Sequence, residues 1–283
     1  MSQIVGKIVR KVSRELYKPL KVFFFHQVSS CFVEGKDKES IFSSLDQFEK
    51  NIGFLKKRYH LVSLTEANEL YQQKKWRREQ YAVITFDDGY ANILEALDLL
   101  KTWNIPATVF VNSKYVFERS VGVINLATWI GSSLPNALTD EQKQLAVQLC
   151  DHDLQDGYKE KWDRLMADLP ELPTELSDLY LTPTQLEGLD TELFTIGMHG
   201  YEHYNSLQLT DDEFRENVEK DKALLSNYSN YIPFFCFPYG YARESQLDLL
   251  RKAGVTPVLC SGGDNYAVDH VIYRDCLDGI KLC

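Results

Sequence analysis

Four short apolar runs in this chain each end on residues that carry chemistry. Residues 21–25 (KVFFF) run into His26, 82–86 (AVITF) into Asp87-Asp88-Gly89, 194–197 (FTIG) into Met198-His199-Gly200-Tyr201-Glu202-His203, and 234–237 (FFCF) into Pro238-Tyr239-Gly240. Runs this rich in β-branched and aromatic residues read as buried parallel strands, and 108–111 (TVFV) and 255–259 (VTPVL) read the same way. Between them lie helical patterns at 93–101, at 210–227, which opens on the cap-like Thr-Asp-Asp-Glu, and at 243–253, which stops at Gly254. Strands alternating with helices predict an α/β fold with a parallel sheet. The carboxyl ends of such strands open on one face, so four separated regions should meet in one pocket. Residues 114–190 have helical spacing broken by prolines and read as an inserted helical region.

Composition removes several function classes. Of 283 residues, 44% are hydrophobic and 25% charged, which is ordinary for a globular chain. No stretch approaches the ~20 uncharged apolar residues of a membrane-spanning helix, and the first twenty residues carry charges where a signal peptide has its apolar core. A cytoplasmic protein is expected. The balance of 31 Lys plus Arg against 41 Asp plus Glu argues against nucleic acid as a partner. Six scattered cysteines with no C-x-x-C pair read as reduced thiols, mostly buried.

The charge is unevenly spread. Lys7, Arg10, Lys11, Arg14, Lys18 and Lys21 face one acid, Glu15, within residues 1–21. Wound as a helix, Ile4, Val5, Ile8, Val9, Val12 and Leu16 fall within an arc of roughly 140°. Residues 1–19 thus read as a basic amphipathic helix, packed on the domain or docked through 1–18 on an anionic membrane surface. The domain proper is placed at 20–283.

Asp87 and Asp88 are adjacent, and adjacent residues on a regular strand point to opposite faces. A glycine directly after them lets the chain turn sharply, so both carboxylates can face one opening, one as metal ligand and one as proton acceptor. The alternative is that Asp-Asp-Gly is a turn signal alone. His199 and His203 stand in the i, i+4 relation that puts two imidazoles on one side of a helical turn and offers two nitrogens to one zinc. A third ligand from another strand would leave an open position for water, as in catalytic zinc sites. His26 by itself is equally readable as a buried packing residue.

These residues resemble the polysaccharide deacetylase family, also called the NodB-homology domain or carbohydrate esterase family 4. Thr85-Phe86-Asp87-Asp88-Gly89 resembles its first motif, His199 to His203 its H-x-x-x-H motif, and Phe235-Cys236-Phe237-Pro238-Tyr239-Gly240 its third, over roughly residues 20–280. Residues 24–28 and 60–65 further resemble the branch that deacetylates exopolysaccharides and surface glycans. The resemblance implies a distorted (β/α)7 barrel that removes acetyl groups from N-acetylated sugars with a divalent metal, usually zinc; cobalt, nickel or iron suit the same donors. It implies that Asp88, His199 and His203 hold the metal and that Asp87 takes a proton from the metal-bound water. The backbone N–H of Tyr239, in a loop shaped by Pro238 and Gly240, would hold the oxyanion.

Two departures from the family pattern stand out. Cys236 occupies the place of an arginine that orients the catalytic aspartate, so that orientation must come from elsewhere. The late histidine that protonates the leaving amine has only His270 as a counterpart, in no matching context, and His26 is taken as the substitute donor. The expectation is an N-deacetylase acting on a bacterial surface polysaccharide, such as an O-antigen or capsule precursor still on its lipid carrier, at the inner membrane face. The alternatives are a glycan-binding pseudoenzyme on the same barrel, and a deformylase or O-acetyl esterase.

Overall fold

All six expected strands form, and a seventh that the pattern did not reveal joins them into a ring. A computed structural model describes residues 19–73, 79–133, 138–151, 157–167, 176, 178–260, 265 and 271–282. The expected N-terminal helix at 1–18 and His270 lie outside the described residues. In chain order the strands are β1 (Lys21–Phe25), β2 (Gln27–Ser29), β3 (Phe42–Ser44), β4 (His60–Leu61), β5 (Tyr81–Phe86), β6 (Ala107–Val111), β7 (Phe194–Met198), β8 (Tyr231–Cys236), β9 (Thr256–Cys260) and β10 (Ile272–Cys276).

Parallel pairing runs β1-β10-β9-β8-β7-β6-β5, and β5 pairs back onto β1 from Lys21↔Ala82 to Phe25↔Phe86. The seven strands therefore close into a parallel barrel ringed by helices, a (β/α)7 barrel of the NodB type. Closure leaves none of the seven with an open edge. The short β4 pairs on the far side of β5, and β2 and β3 form a separate two-stranded parallel pair.

Alternation along the strands divides the apolar residues into two cores. Val22, Val83, Phe110, Phe234, Cys236, Val258 and Ile272 form one buried cluster, the barrel interior. Phe25, Ile84, Phe86, Val109, Ile196 and Phe235 belong to a larger cluster that packs outward against the helices.

The helices begin where the side chains can cap them. Thr210 and Glu213 form a capping box at the start of Asp211–Leu225, and Ser44 caps Leu45–Lys56. Between β6 and β7 the chain forms the helices Ser113–Glu118, Val123–Ser133, Asp140–Asp151, Tyr158–Ala167 and Pro183–Glu187. Among the described residues, no helix is long and apolar enough to cross a membrane. Among the described thiols the expectation of mostly buried cysteines does not hold: Cys236 is buried and Cys260 half-buried, whereas Cys31 and Cys276 are exposed.

Candidate active site

The candidate residues gather at the carboxyl end of the barrel, where His26, Asp87, His199 and the turn at Pro238 follow β1, β5, β7 and β8. Asp87 continues the inward alternation of Val83 and Thr85 and is 1% exposed. On a straight strand Asp88 would point away. Instead the backbone already turns at Asp88, with φ +67°, and Gly89 follows at φ +72°. A Cβ on Gly89 would lie 2.9 Å from Val111 Cγ1, so the turn requires glycine there. The left-handed conformation at Asp88 is unfavourable for a residue with a Cβ and is held by what surrounds it. Leu181 N–H donates to the Gly89 carbonyl and Ala91 N–H to that of Leu179, which pins the turn from outside.

Asp88 Oδ1 lies 3.2 Å from His199 Nε2 and 3.3 Å from His203 Nε2. His199 Nδ1 is 2.8 Å from the Cys236 carbonyl. A carbonyl only accepts, so Nδ1 carries a proton, and this bond turns Nε2 toward Asp88. Asp88 Oδ1 is itself buried with no hydrogen-bond partner. An orphaned carboxylate oxygen against two imidazole nitrogens is a donor set that suits a cation, and all three ligand atoms lie within 4.8 Å of one another. Burial lowers the His203 pKa to about 4 despite the Asp88 charge, keeping that imidazole neutral. Burial works to raise the Asp88 pKa, but His203, His199 and His26 overcome it and hold the carboxyl below its usual range.

The two histidines do not sit on a helical turn, as their spacing predicted. Residues 199–203 form a bend, with Gly200 at φ +88°, that brings the rings to 5.0 Å between centroids. Glycine permits this backbone, and a Cβ there would come within 2.9 Å of the Glu202 carbonyl.

The arginine missing at position 236 has a counterpart in space that sequence reasoning did not find. Arg274, on β10, donates from Nη1 and Nη2 to the two oxygens of Asp87, each at 2.7 Å. Nη1 also reaches Thr85 Oγ1 at 3.0 Å, and Nη2 passes 2.8 Å from Cys236 Sγ. The guanidinium stacks 4.5 Å from the Phe24 ring centroid and is 1% exposed as a residue. Cys236 is thus the small residue that leaves room for an arginine arriving from two strands away. Burial pushes the Asp87 pKa up, yet Arg274 and His199 more than offset it, so the carboxylate stays ionised.

His26 also has a partner that went unrecognised. Its Nδ1 is 2.5 Å from Asp278 Oδ2, and its backbone N–H donates to Asp278 Oδ1 at 3.0 Å. Burial would lower its pKa, but Asp278, with Asp88 and Asp87 behind it, raises it to about 9. At the third motif Pro238 is buried, Tyr239 adopts φ +59° with its ring 4.7 Å from that of His203, and Gly240 turns at φ +76° against Cys260. The structure therefore brings all eight sequence-selected residues to one mouth and adds Arg274 and Asp278.

A NodB-type barrel with an aspartate pair and two histidines at its mouth defines a class of carbohydrate-directed hydrolase folds. The chain belongs to the polysaccharide deacetylase family, whose model it matches over residues 74–258. A poly-beta-1,6-N-acetyl-D-glucosamine N-deacetylase of Staphylococcus aureus (strain MRSA252) is 25% identical over 242 residues, which span 83% of this chain but 66% of that protein, just under two thirds. Among solved structures, IcaB from Ammonifex degensii superposes with a TM-score of 0.63 at 16% identity, covering 91% of each chain. The Streptococcus pyogenes deacetylase PplD, solved with acetate, gives 0.62 at 14% identity over 91% of this chain and 92% of its own. At these identities the structures establish a shared fold.

Proposed function

We propose that the protein is a metal-dependent N-deacetylase that hydrolyses the acetamide of N-acetylated sugars in a bacterial exopolysaccharide, with zinc as the first-choice cation. The observation that carries this reading is the Asp88–His199–His203 group flanked by Asp87, kept ionised by Arg274, and His26, kept protonated by Asp278. A bound divalent cation supplies Lewis acidity and makes water acidic enough to ionise near neutral pH. Asp87 accepts the proton of the attacking water, and Arg274 fixes the direction in which its carboxylate points. His26 donates a proton from its free ring nitrogen to the departing amine. The Tyr239 backbone N–H is the donor for charge that develops on the carbonyl oxygen.

The staphylococcal relative's name supports a β-1,6-linked N-acetylglucosamine polymer as the substrate class. An O-antigen or capsule precursor on a lipid carrier, met at the inner membrane face through residues 1–18, is the more particular version of this reading. Against the pseudoenzyme reading stand Arg274, which holds both oxygens of Asp87, and the His26–Asp278 pair, which supports His26 as the proton donor.

The test is metal content and acetate release from N-acetylglucosamine oligomers, measured on the full chain and on His199→Ala. The wild type should hold about one equivalent of metal, and the variant should lose both the metal and at least ~100-fold in rate. A metal-loaded wild type that releases no acetate, but releases formate or cleaves O-acetyl esters, would transfer the assignment to those reactions.

The proton-donor role predicts a pH effect with a definite sign. Activity that needs protonated His26 should persist to about pH 9 and fall above it. Asp278→Asn removes the main influence raising that pKa, so the alkaline limb of kcat/KM should move down by about one pH unit or more. An unmoved limb would remove His26 from the mechanism.

A further inference from the structure

The bend that carries His199 and His203 is gripped on both sides by side chains that touch neither histidine ring. From the helix Asp211–Leu225, two acceptors one turn apart catch successive backbone donors: Gly200 N–H donates to Asp221 Oδ2 at 2.9 Å and Tyr201 N–H to Asn217 Oδ1 at 3.0 Å. From the end of β6, Asn112 Nδ2 donates to the carbonyls of His199 at 2.6 Å and Gly200 at 3.1 Å. Asn112 and Asp221 are both fully buried. Side chains at i and i+4 share a helix face, so Asn217 and Asp221 present their acceptors as one unit.

A bend has no internal hydrogen-bond ladder to fix its shape, unlike the helical turn that the i, i+4 spacing would have supplied. The spacing between the two imidazoles must then be set from outside. We infer that Asn217 and Asp221 are positioning residues that hold the His199–His203 bend in its metal-binding shape before the metal arrives. This inference rests on the reading that Asp88, His199 and His203 hold the metal.

Asp221 acts on the bend as a hydrogen-bond acceptor, its Oδ2 taking the Gly200 N–H. Burial pushes its carboxyl pKa up to about 7, against the pull of Ser113 and Gly200. What the bend needs at that point is an oxygen acceptor, and an asparagine offers one of the same size.

The experiment titrates Co²⁺ alone into the metal-stripped full chain and follows the visible d–d absorption, for the wild type and for Asn217→Ala, Asp221→Ala, Asp221→Asn and His199→Ala. Fold and melting temperature of each apo-protein are read by circular dichroism, and binding is compared at a temperature where all folded variants are native. Asn217→Ala and Asp221→Ala should weaken Co²⁺ binding by ~10–100-fold and alter the absorption band, the range known for groups that orient metal ligands. Asp221→Asn should bind within a few-fold of wild type. Asn217 is only half-buried, and its variant carries the test if Asp221→Ala does not fold.

Folded Asn217→Ala and Asp221→Ala proteins that melt lower but bind Co²⁺ with unchanged affinity and spectrum would overturn the inference and leave a merely structural role. A wild type that binds no Co²⁺, or a His199→Ala that binds as well as wild type, would overturn the metal reading and the inference with it.

Discussion

Asp87→Asn should retain the metal and the barrel yet release acetate about 10²–10⁴-fold more slowly, the range typical of losing a positioned proton acceptor. The substitution keeps the side chain's size and one oxygen for the Arg274 fork. It removes the one property that Asp88 is not placed to supply, because Asp88 Oδ1 faces the two imidazole nitrogens, at 3.2 and 3.3 Å, as their partner in the proposed ligand set. The measurements are kcat on an N-acetylglucosamine oligomer and metal equivalents by elemental analysis. Full metal with lost turnover assigns the proton transfer to Asp87; full metal with turnover within about three-fold of wild type would place it elsewhere.

Arg274→Met should have the largest effect on stability, about 3–5 kcal/mol, because it strands a buried carboxylate. The Asp87–Arg274 pair is bidentate at 2.7 Å, and both side chains are 2% exposed or less. With the guanidinium gone, burial dominates at Asp87 and its pKa rises. Two signatures follow: a lower denaturant midpoint, and an acidic limb of the kcat/KM profile displaced toward higher pH. Cys236→Arg combined with Arg274→Cys offers a stricter check, since it returns the guanidinium to its usual place in the family. If orientation of Asp87 is the shared task, the double variant should be more active than Arg274→Met. Unchanged stability in Arg274→Met would show that the pair contributes little.

Most of the barrel was legible because six strands are apolar runs whose burial on both faces leaves an unmistakable composition. The seventh was not, since β10 reads Ile-Tyr-Arg-Asp-Cys, and a charged residue in a five-residue stretch argues against a barrel interior. Its charge is acceptable only because Asp87 waits 187 residues away, a pairing that local pattern cannot show. Alternation was the available signal: Ile272 and Arg274 share one face of that stretch. Asp278 was hidden for the same reason, as its partner lies 252 residues earlier. The helical turn predicted at His199–His203 failed because Gly200 and the outside grip of Asn112, Asn217 and Asp221 override what spacing implies.

The placement of Arg274 on β10 and Asp278 just beyond it separates two events in the life of the chain. Asp88, His199 and His203 all precede β9, so the candidate ligands are synthesised before β10, the strand that completes the cylinder. At that stage Asp87 has no counterion and His26 no carboxylate. Both gain these partners only with β10 in its place between β9 and β1. On the proposed roles, the candidate metal ligands precede β10 in the chain, whereas the partners of Asp87 and His26 lie on it or just after it, so metal capture and hydrolytic power depend on different stretches of sequence.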